Sequence, residues 1–210
     1  MDDIYLDVGT NWLKSKVSDD FTTDTHLYIE NIISSMSFGG GLRILDMCCG
    51  YGRVSIPLSK RGHFVVGFDV SETLLKSAES AKRKELLNNV MFVRADMLKL
   101  PFREKTFDIV LCMWASFNFV AHIEDQLNVI NELAAILLPG GVAIIDLPNE
   151  HSSSEKLLTL DVSGSVYHYF QHTKRHLEHV LSSSLADSYK IEECMFGAKD
   201  RIIVVISKNV

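Results

Sequence analysis

An alternation of short apolar runs with longer helical patterns begins at residue 42 and constrains the fold of this chain more than any other feature. The apolar, often β-branched runs occupy residues 43–47, 63–68, 90–94, 107–113 and 142–146. The helical patterns occupy residues 54–60, 72–87 and 123–138, with Ser71 placed to cap the second and Pro139-Gly140-Gly141 placed to end the third. This alternation is typical of βαβ units, whose strands form a parallel sheet.

The pattern changes after residue 146 to one helix and two adjacent strands. The helix is predicted at residues 174–185 with Thr173 as its cap, and the strands are predicted at 189–196 and 201–207. The polar segment 197–200 between the strands is short enough for a hairpin connection. The chain therefore predicts an α/β fold with five parallel strands, followed by a C-terminal antiparallel hairpin.

The length of the chain points to a single main domain. A chain of 210 residues with 47% hydrophobic content can bury one core of ordinary size. We expect that domain over residues 39–210, preceded by an N-terminal helical extension or lid over residues 1–38. The extension holds a helical pattern at 25–36 whose apolar positions include Leu27 and Ile29. Tyr5 and Trp12 fit either a lid that closes over a ligand or plain surface packing.

Charge and cysteine content argue against several classes of protein. The formal net charge of −6 at pH 7, without a long Lys/Arg run, argues against a broad nucleic-acid-binding surface. No apolar stretch reaches membrane-spanning length, and the chain starts Met-Asp-Asp where a signal peptide would be basic, so we expect a cytoplasmic protein without a membrane partner. The 4 cysteines show no CxxC spacing, which indicates reduced thiols.

A glycine turn follows the first predicted strand, and an acidic residue closes the second. Asp46 lies at the end of the first strand, Gly50 and Gly52 lie in the turn, and Asp69 follows the second strand. Glycine lets the backbone approach a ligand, and a carboxylate can accept both hydroxyl hydrogens of a ribose. The pair predicts a nucleoside-cofactor site at the C-terminal edge of the sheet. Cys48 is expected to have a negative φ, because a residue with a Cβ resists positive φ.

These residues resemble the class I S-adenosylmethionine-dependent methyltransferases, whose first motif usually reads Asp-x-Gly-x-Gly-x-Gly. Cys48 stands where the first glycine usually stands, and the segments 94–97, 106–114 and 137–141 are similar to later motifs in the expected order. The resemblance covers residues 42–208. It implies a Rossmann-like, doubly wound, seven-stranded sheet, mostly parallel with a C-terminal antiparallel hairpin. A nicotinamide enzyme is a weaker alternative, since it would not explain Asp46, Asp96 or the terminal hairpin.

The resemblance also implies S-adenosylmethionine as the cofactor and a role for each matching residue. Asp46 would reach the amino group of the cofactor, the glycine turn would lie against its methionine portion, and Asp69 would hold its ribose hydroxyls. Asp96 and the Met97 backbone would contact the adenine. The predicted cofactor-binding residues are Asp46, Cys48, Gly50, Gly52, Asp69, Val70, Asp96, Met97 and Cys112.

The segment after the fourth strand bears on the methyl acceptor. It lacks the (Asn/Asp)-Pro-Pro-(Tyr/Phe) motif of relatives that act on nucleobases or glutamine, and it is similar to small-molecule N- and O-methyltransferases. The predicted function is therefore methyl transfer to nitrogen or oxygen of a small molecule. A protein, peptide or RNA acceptor and a non-catalytic S-adenosylmethionine-binding module are the alternatives. The predicted substrate-binding residues, whose aromatics equally fit core packing, are Trp114, Ser116, Phe117, Asn118, Tyr167 and His168.

Histidines are the candidates for proton transfer. His168 and His122 are the candidate general bases. The densest cluster contains His168, His172, His176 and His179, of which the last two would share a helical face. No acidic or thiol partner completes a recognisable ligand spacing, so no metal is predicted.

The connection between the fifth strand and the terminal hairpin is short, at about forty residues. Many small-molecule members of the family insert a lid sheet there. No such sheet is predicted in this chain, so we expect the acceptor side to be open or covered by the N-terminal helix.

Overall fold

The computed structural model describes residues 18–35, 40–152, 154–162, 165–184 and 188–209. The helices are α1 (Asp19–Ser35), α2 (Ser55–Lys60), α3 (Glu72–Lys84), α4 (Ile123–Ile136) and α5 (Lys174–Ser182), with a 3-10 helix at Ser116–Phe119. The strands are β1 (Arg43–Met47), β2 (Phe64–Asp69), β3 (Val90–Arg94), β4 (Phe107–Cys112), β5 (Leu137–Pro148), β6 (Lys156–Val162), β7 (Ser165–Gln171), β8 (Ser188–Phe196) and β9 (Lys199–Ser207). Tyr5 and Trp12 lie outside the described residues.

Seven strands form one sheet in the order β3-β2-β1-β4-β5-β9-β8. The pairs from β3 to β5 are parallel, and β9 is antiparallel to both β5 and β8. Every residue of β4 is buried, as expected for a strand covered on both faces. The predicted doubly wound, Rossmann-like sheet with a terminal antiparallel hairpin is therefore confirmed.

Helices cover both faces of this sheet and divide the core in two. The alternation of side chains along β1 sends Leu45 and Met47 to one cluster and Ile44 to the other. α4 and α5 supply apolar residues to the first cluster, and α1 and α2 supply them to the second. The C-terminal ends of β1, β2 and β4 therefore meet at one edge between the two layers.

The boundary between α4 and β5 differs from the sequence prediction. β5 begins at Leu137, so the helix before it ends at Ile136 and Pro139-Gly140-Gly141 lies within the strand. Phe107 pairs with Leu137, and the amide of Gly140 donates to the carbonyl of Lys208 at 2.9 Å. These long-range partners, which the local Pro-Gly-Gly signal does not include, extend the strand.

The N-terminal helix α1 also begins earlier than predicted, at Asp19. Leu27, expected at an apolar position, is 53% exposed, whereas Phe21, Thr25 and Ile29 are buried. Asp24 accepts a hydrogen bond from the Gly197 amide at 2.7 Å, which joins α1 to the turn between β8 and β9.

The prediction that no lid sheet lies between β5 and the terminal hairpin is wrong. β6 and β7 pair antiparallel as a separate two-stranded sheet. The amide of Asn118 donates to the carbonyl of Phe170 at 2.8 Å, and the rings of Phe119 and Tyr169 meet edge to face at 5.8 Å. The hairpin thus covers the 3-10 helix that follows β4.

Candidate functional site

The candidate site lies where the sheet order reverses, at the C-terminal end of β1. β1 is flanked by β2 and β4, and the following helices pass to opposite faces of the sheet, which is where ligands bind in open α/β folds. Asp46 and Asp69 close β1 and β2 and are 2% and 3% exposed. Two nearly buried carboxylates thus flank the turn at residues 48–53.

The turn itself is strongly curved. The φ angles of Cys48, Gly50 and Gly52 are 53°, 55° and 84°, and the Cys49 amide donates to the carbonyl of Phe68 at 2.9 Å. The expectation of a negative φ at Cys48 is therefore wrong. The left-handed conformation costs a residue with a Cβ about 1–2 kcal/mol, a cost that the surrounding fold offsets.

Asp69 fixes the turn against the start of α3. Its two oxygens accept hydrogen bonds from the amides of Gly50 and Ser71, each at 2.9 Å. The hydroxyl of Ser71 accepts from the Leu74 amide at 3.3 Å, which confirms the predicted helix cap. The carboxylate of Asp69 therefore holds the glycine turn and the helix terminus together.

Asp46 is a nearly fully buried acid at the end of β1. Its carboxylate accepts a hydrogen bond from the hydroxyl of Ser55, the first residue of α2. Burial raises the pKa of Asp46 to about 6, against the lowering effects of Ser55 and the nearby Arg53. Ionised Asp46 is thus a poorly solvated negative charge.

A third acid, Asp146 near the end of β5, organises the loop after β4. It is fully buried, and its carboxylate accepts from Arg201 Nε at 2.6 Å and from the Trp114 amide at 2.8 Å. Its carbonyl accepts from the Ala115 amide at 2.9 Å. Trp114 and Ala115 have φ angles of 57° and 66°, so these bonds hold two consecutive left-handed residues.

One pocket is lined by residues from the ends of β1 and β2, the glycine turn and the loop after β4. It has a volume of about 40 Å³ and is lined by Asp46, Cys48, Cys49, Gly50, Tyr51, Arg53, Val54, Asp69, Leu74, Met113, Trp114 and Ser116. Typical small-molecule sites measure roughly 300–1,000 Å³. Binding of a nucleoside cofactor therefore requires lining side chains to move apart.

The structure brings together only part of the predicted cofactor set. Asp46, Cys48, Gly50 and Asp69 line the pocket, but the other predicted residues, Gly52, Val70, Asp96, Met97 and Cys112, do not. Asp96 is partly exposed and accepts from the Leu98 amide at 2.9 Å, whereas Met97 is buried in the core. Cys112 is buried, and burial raises the pKa of its thiol to about 12.

Arg53 is the most informative lining residue that sequence reasoning missed. Its guanidinium lies 5.6 Å from the ring centroid of Phe21, and its Nη1 atom is buried without a hydrogen-bond partner among the described residues. Its carbonyl contacts His26 Nε2 at 3.1 Å, so α1 contacts the pocket wall. The available signal was an arginine directly after the glycine pair.

The predicted acceptor residues separate into two groups. Trp114 and Ser116 line the pocket, and Phe117, Asn118 and Tyr167 are buried and do not line it.

The candidate bases His168 and His122 are both exposed, and neither lines the pocket. His176 is buried and His179 is exposed, so the two do not share one environment. Within the described ranges, no group of three His, Cys, Asp or Glu side chains is placed to hold a metal.

Comparison with known proteins agrees with this geometry. Residues 44–141 match a family model described as a methyltransferase domain. A S-adenosylmethionine-dependent methyltransferase from Clostridium acetobutylicum ATCC 824 superposes with a TM-score of 0.71 at 16% identity, over 94% of this chain and 95% of that one. Magnesium protoporphyrin IX methyltransferase from Synechocystis PCC 6803, a structure with bound cofactor, gives 0.68 at 19% identity, over 98% and 88%.

Sequence relatives include two demethylmenaquinone methyltransferases. The protein from Staphylococcus carnosus (strain TM300) is 29% identical over 145 residues, or 67% of this chain and 57% of that protein. The protein from Lactococcus lactis subsp. lactis (strain IL1403) is 30% identical over 151 residues, or 70% and 56%. The chain thus spans little more than half the length of these relatives.

Fold and site together define a Rossmann-like domain with a glycine turn at the edge where the sheet order reverses. Residues 44–141, a little under half of the chain, match a methyltransferase domain, and the fold is that of S-adenosylmethionine-dependent methyltransferases, in agreement with the predicted family resemblance. No helix within the described residues is long and apolar enough to span a membrane.

Proposed function

We propose that this protein transfers a methyl group from S-adenosylmethionine to nitrogen or oxygen of a small molecule. The observation that carries this proposal is the pair of buried carboxylates, Asp46 and Asp69, on either side of a left-handed glycine turn at the reversal of the sheet order. S-adenosylmethionine carries both an ammonium group and a ribose, and carboxylates at adjacent strand ends suit these two groups.

The donors of the pocket fit this cofactor. Asp46 would bind the ammonium group, and the unpartnered Nη1 of Arg53 would bind the methionine carboxylate. Asp69 would accept the ribose hydroxyls, while Gly50 and Gly52 let the turn approach the ligand. Bound S-adenosylmethionine supplies an electrophilic methyl group on its sulfonium. The enzyme then needs mainly to align the acceptor and exclude water.

The adenine contacts are proposed at the neighbouring strand ends. Asp96 and Met97 follow β3, Val70 follows β2, and Cys112 ends β4 beside the turn. Burial is the main cause that raises the pKa of Cys48, and the neighbouring Cys112 raises it further. Both sulfurs therefore stay protonated and serve as apolar lining.

A small-molecule acceptor is favoured by the covered loop after β4. The β6–β7 hairpin lies over the 3-10 helix and restricts access to bulky polymers. The names of the relatives from S. carnosus and L. lactis favour one second candidate, a quinone acceptor such as demethylmenaquinone. A nucleic-acid acceptor is disfavoured by the net charge of −6.

We also propose that residues 1–38 act as a lid on the domain at 39–210. α1 contacts the pocket wall through His26 and Arg53, and its Phe21 packs beneath the guanidinium groups of Arg53 and Arg201. Movement of α1 would therefore free Arg53 and enlarge the pocket.

Replacing Asp69 with alanine is expected to weaken the binding of both S-adenosylmethionine and S-adenosylhomocysteine by about tenfold to over a hundredfold. The change removes charged hydrogen bonding worth roughly 1.5–3 kcal/mol in total. Calorimetric titration measures the loss, and Asp200→Ala, an exposed acid on β9, is the matched control. Unchanged affinity in the Asp69 variant would reject the ribose assignment.

Methyl transfer itself is tested with methyl-labelled S-adenosylmethionine. The purified protein is incubated with a panel of phenols, amines, carboxylates and a demethylated naphthoquinol, and product mass and S-adenosylhomocysteine release are recorded. Label in an N- or O-methyl product supports the proposal, and label on a quinone ring carbon supports the second candidate. Cofactor binding without transfer to any small molecule, but with transfer to protein or RNA, would contradict both.

A further inference from the structure

A compact cluster of phenylalanine and histidine rings lies at the start of α5. His172 stacks on Phe117 at 5.3 Å with an interplanar angle of 27°, and Phe170 lies 4.8 Å from the His172 ring. His176 completes the cluster at 5.4 Å from His172. These rings come from β7, the 3-10 helix and α5, so the cluster forms only in the folded chain.

Three polar atoms in this cluster have no hydrogen-bond partner among the described residues. They are both ring nitrogens of His172 and the side-chain oxygen Oδ1 of Asn118. His172 and Asn118 are 4% and 1% exposed, so solvent does not compensate them. Buried polar groups are almost always paired in native proteins, and an exception calls for a bound water or ligand, local strain or a chemical role.

The neighbouring polar groups are, by contrast, fully engaged. Gln126 donates through Nε2 to the carbonyl of Val120, which turns its Oε1 toward His176 Nε2 at 2.8 Å. That arrangement assigns a proton to His176 Nε2. Asn118 donates through Nδ2 to the Phe170 carbonyl. The groups around the cluster are therefore paired, whereas the Asn118 oxygen and the His172 ring, whose polar contact with the Phe117 backbone does not reach hydrogen-bond geometry, remain available.

The cluster also separates two openings. Ser116, adjacent to Phe117, lines the pocket that holds Asp46 and Asp69. Thr173, adjacent to His172, lines with His176 a surface groove of about 570 Å³. The Phe117–His172 stack therefore lies next to residues that line both openings.

We propose that His172 and Asn118 bind the methyl acceptor, and that this acceptor is a planar ring bearing a hydroxyl or amino group. The inference rests on the proposed function and adds the acceptor class and two binding residues to it. The Phe117 and Phe170 rings both contact His172, and such an aromatic surrounding suits an aromatic ring. A neutral imidazole offers one donor and one acceptor, and the Asn118 oxygen accepts from the O–H or N–H of the ligand. Burial lowers the pKa of His172 to about 3, so the imidazole stays neutral at working pH.

The test uses matched aromatic probes on protein saturated with S-adenosylhomocysteine. p-Cresol and p-toluidine carry the hydroxyl or amino group, and p-xylene has the same shape without it. Histidine ring nitrogens are followed by long-range nitrogen–proton correlation spectra during each titration. We expect saturable shifts at His172 with p-cresol or p-toluidine, and at least tenfold weaker binding of p-xylene.

Three variants make the result specific. His172→Phe keeps the ring stack and should fold with equal or higher thermal stability, but it should lose the preference for p-cresol over p-xylene. His172→Gln, which retains a donor and an acceptor, should keep part of that preference. His179→Phe, at an exposed histidine on α5, should behave as the wild type.

Equal binding of the polar and apolar probes, no binding of any probe at millimolar concentration, or a preference that survives His172→Phe would overturn the inference. The preceding titration with S-adenosylhomocysteine distinguishes the two levels of failure. If S-adenosylhomocysteine binds but the signals of the His172 ring nitrogens do not shift with any aromatic probe, only the acceptor assignment is rejected. Absence of nucleoside binding rejects the proposed function and the acceptor assignment with it.

Discussion

Replacing Asp146 with alanine is expected to lower the free energy of unfolding by about 3–5 kcal/mol. The change leaves the guanidinium of Arg201 buried without its ion-pair partner and removes the acceptor of the Trp114 amide. Trp114 and Ala115 would then lose part of the support for their left-handed backbone. Urea denaturation of the full chain at pH 7 measures the loss.

Two comparisons separate this effect from a general cost of substitution. The double variant Asp146→Leu with Arg201→Leu removes both charges and should recover much of the stability, because well-packed apolar residues replace buried ion pairs at little cost. Glu85→Ala breaks an exposed pair with Lys60 and should leave the stability nearly unchanged. An Asp146→Ala variant that loses no more stability than this control would show that the buried pair is not important for the fold.

Replacing Asp46 with asparagine is expected to stabilise the ligand-free protein and to weaken cofactor binding at the same time. Burial raises the pKa of this carboxyl from 3.8 to about 6, so the folded state favours the protonated form. Its contribution to stability is therefore full below pH 3.8 and is lost as the pH rises through 6. The ionised group then costs about 3 kcal/mol, at 1.36 kcal/mol per pKa unit.

The pH dependence provides the check. At pH 8 the Asp46→Asn protein should unfold at higher urea concentration than the wild type, and at pH 4 the difference should vanish. Its affinity for S-adenosylmethionine should fall by about tenfold or more, because the ammonium group loses a carboxylate partner. Asp108→Asn is the control, since Asp108 is a buried acid that accepts from the Arg43 amide away from the pocket. A stability gain that is equal at pH 4 and pH 8 would contradict the account.

The local pattern of the sequence predicted the parallel half of the fold. The bounds of β1 and β3 agree with the prediction, because apolar runs and turn signals are local properties of the chain. The Ser71 and Thr173 caps were also predictable, since each depends on a hydroxyl three residues before the amide that it accepts from.

Features that depend on distant contacts escaped sequence reasoning. Arg201 reaches Asp146 only because β9 pairs antiparallel with β5, where Pro148 lies opposite Arg201. The hairpin of β6 and β7 was missed because its strands contact the 3-10 helix rather than continue the main sheet. Likewise, nothing local distinguishes buried His172 from exposed His168, four residues earlier on the same hairpin.

Calorimetric titration with S-adenosylmethionine and, separately, S-adenosylhomocysteine tests the central claim most directly. We expect one site with a dissociation constant on the order of micromolar, equivalent to about 8 kcal/mol, for at least one of the two. Absence of binding of both at millimolar concentration, in protein shown to be folded, would contradict the assignment of this edge as a cofactor site.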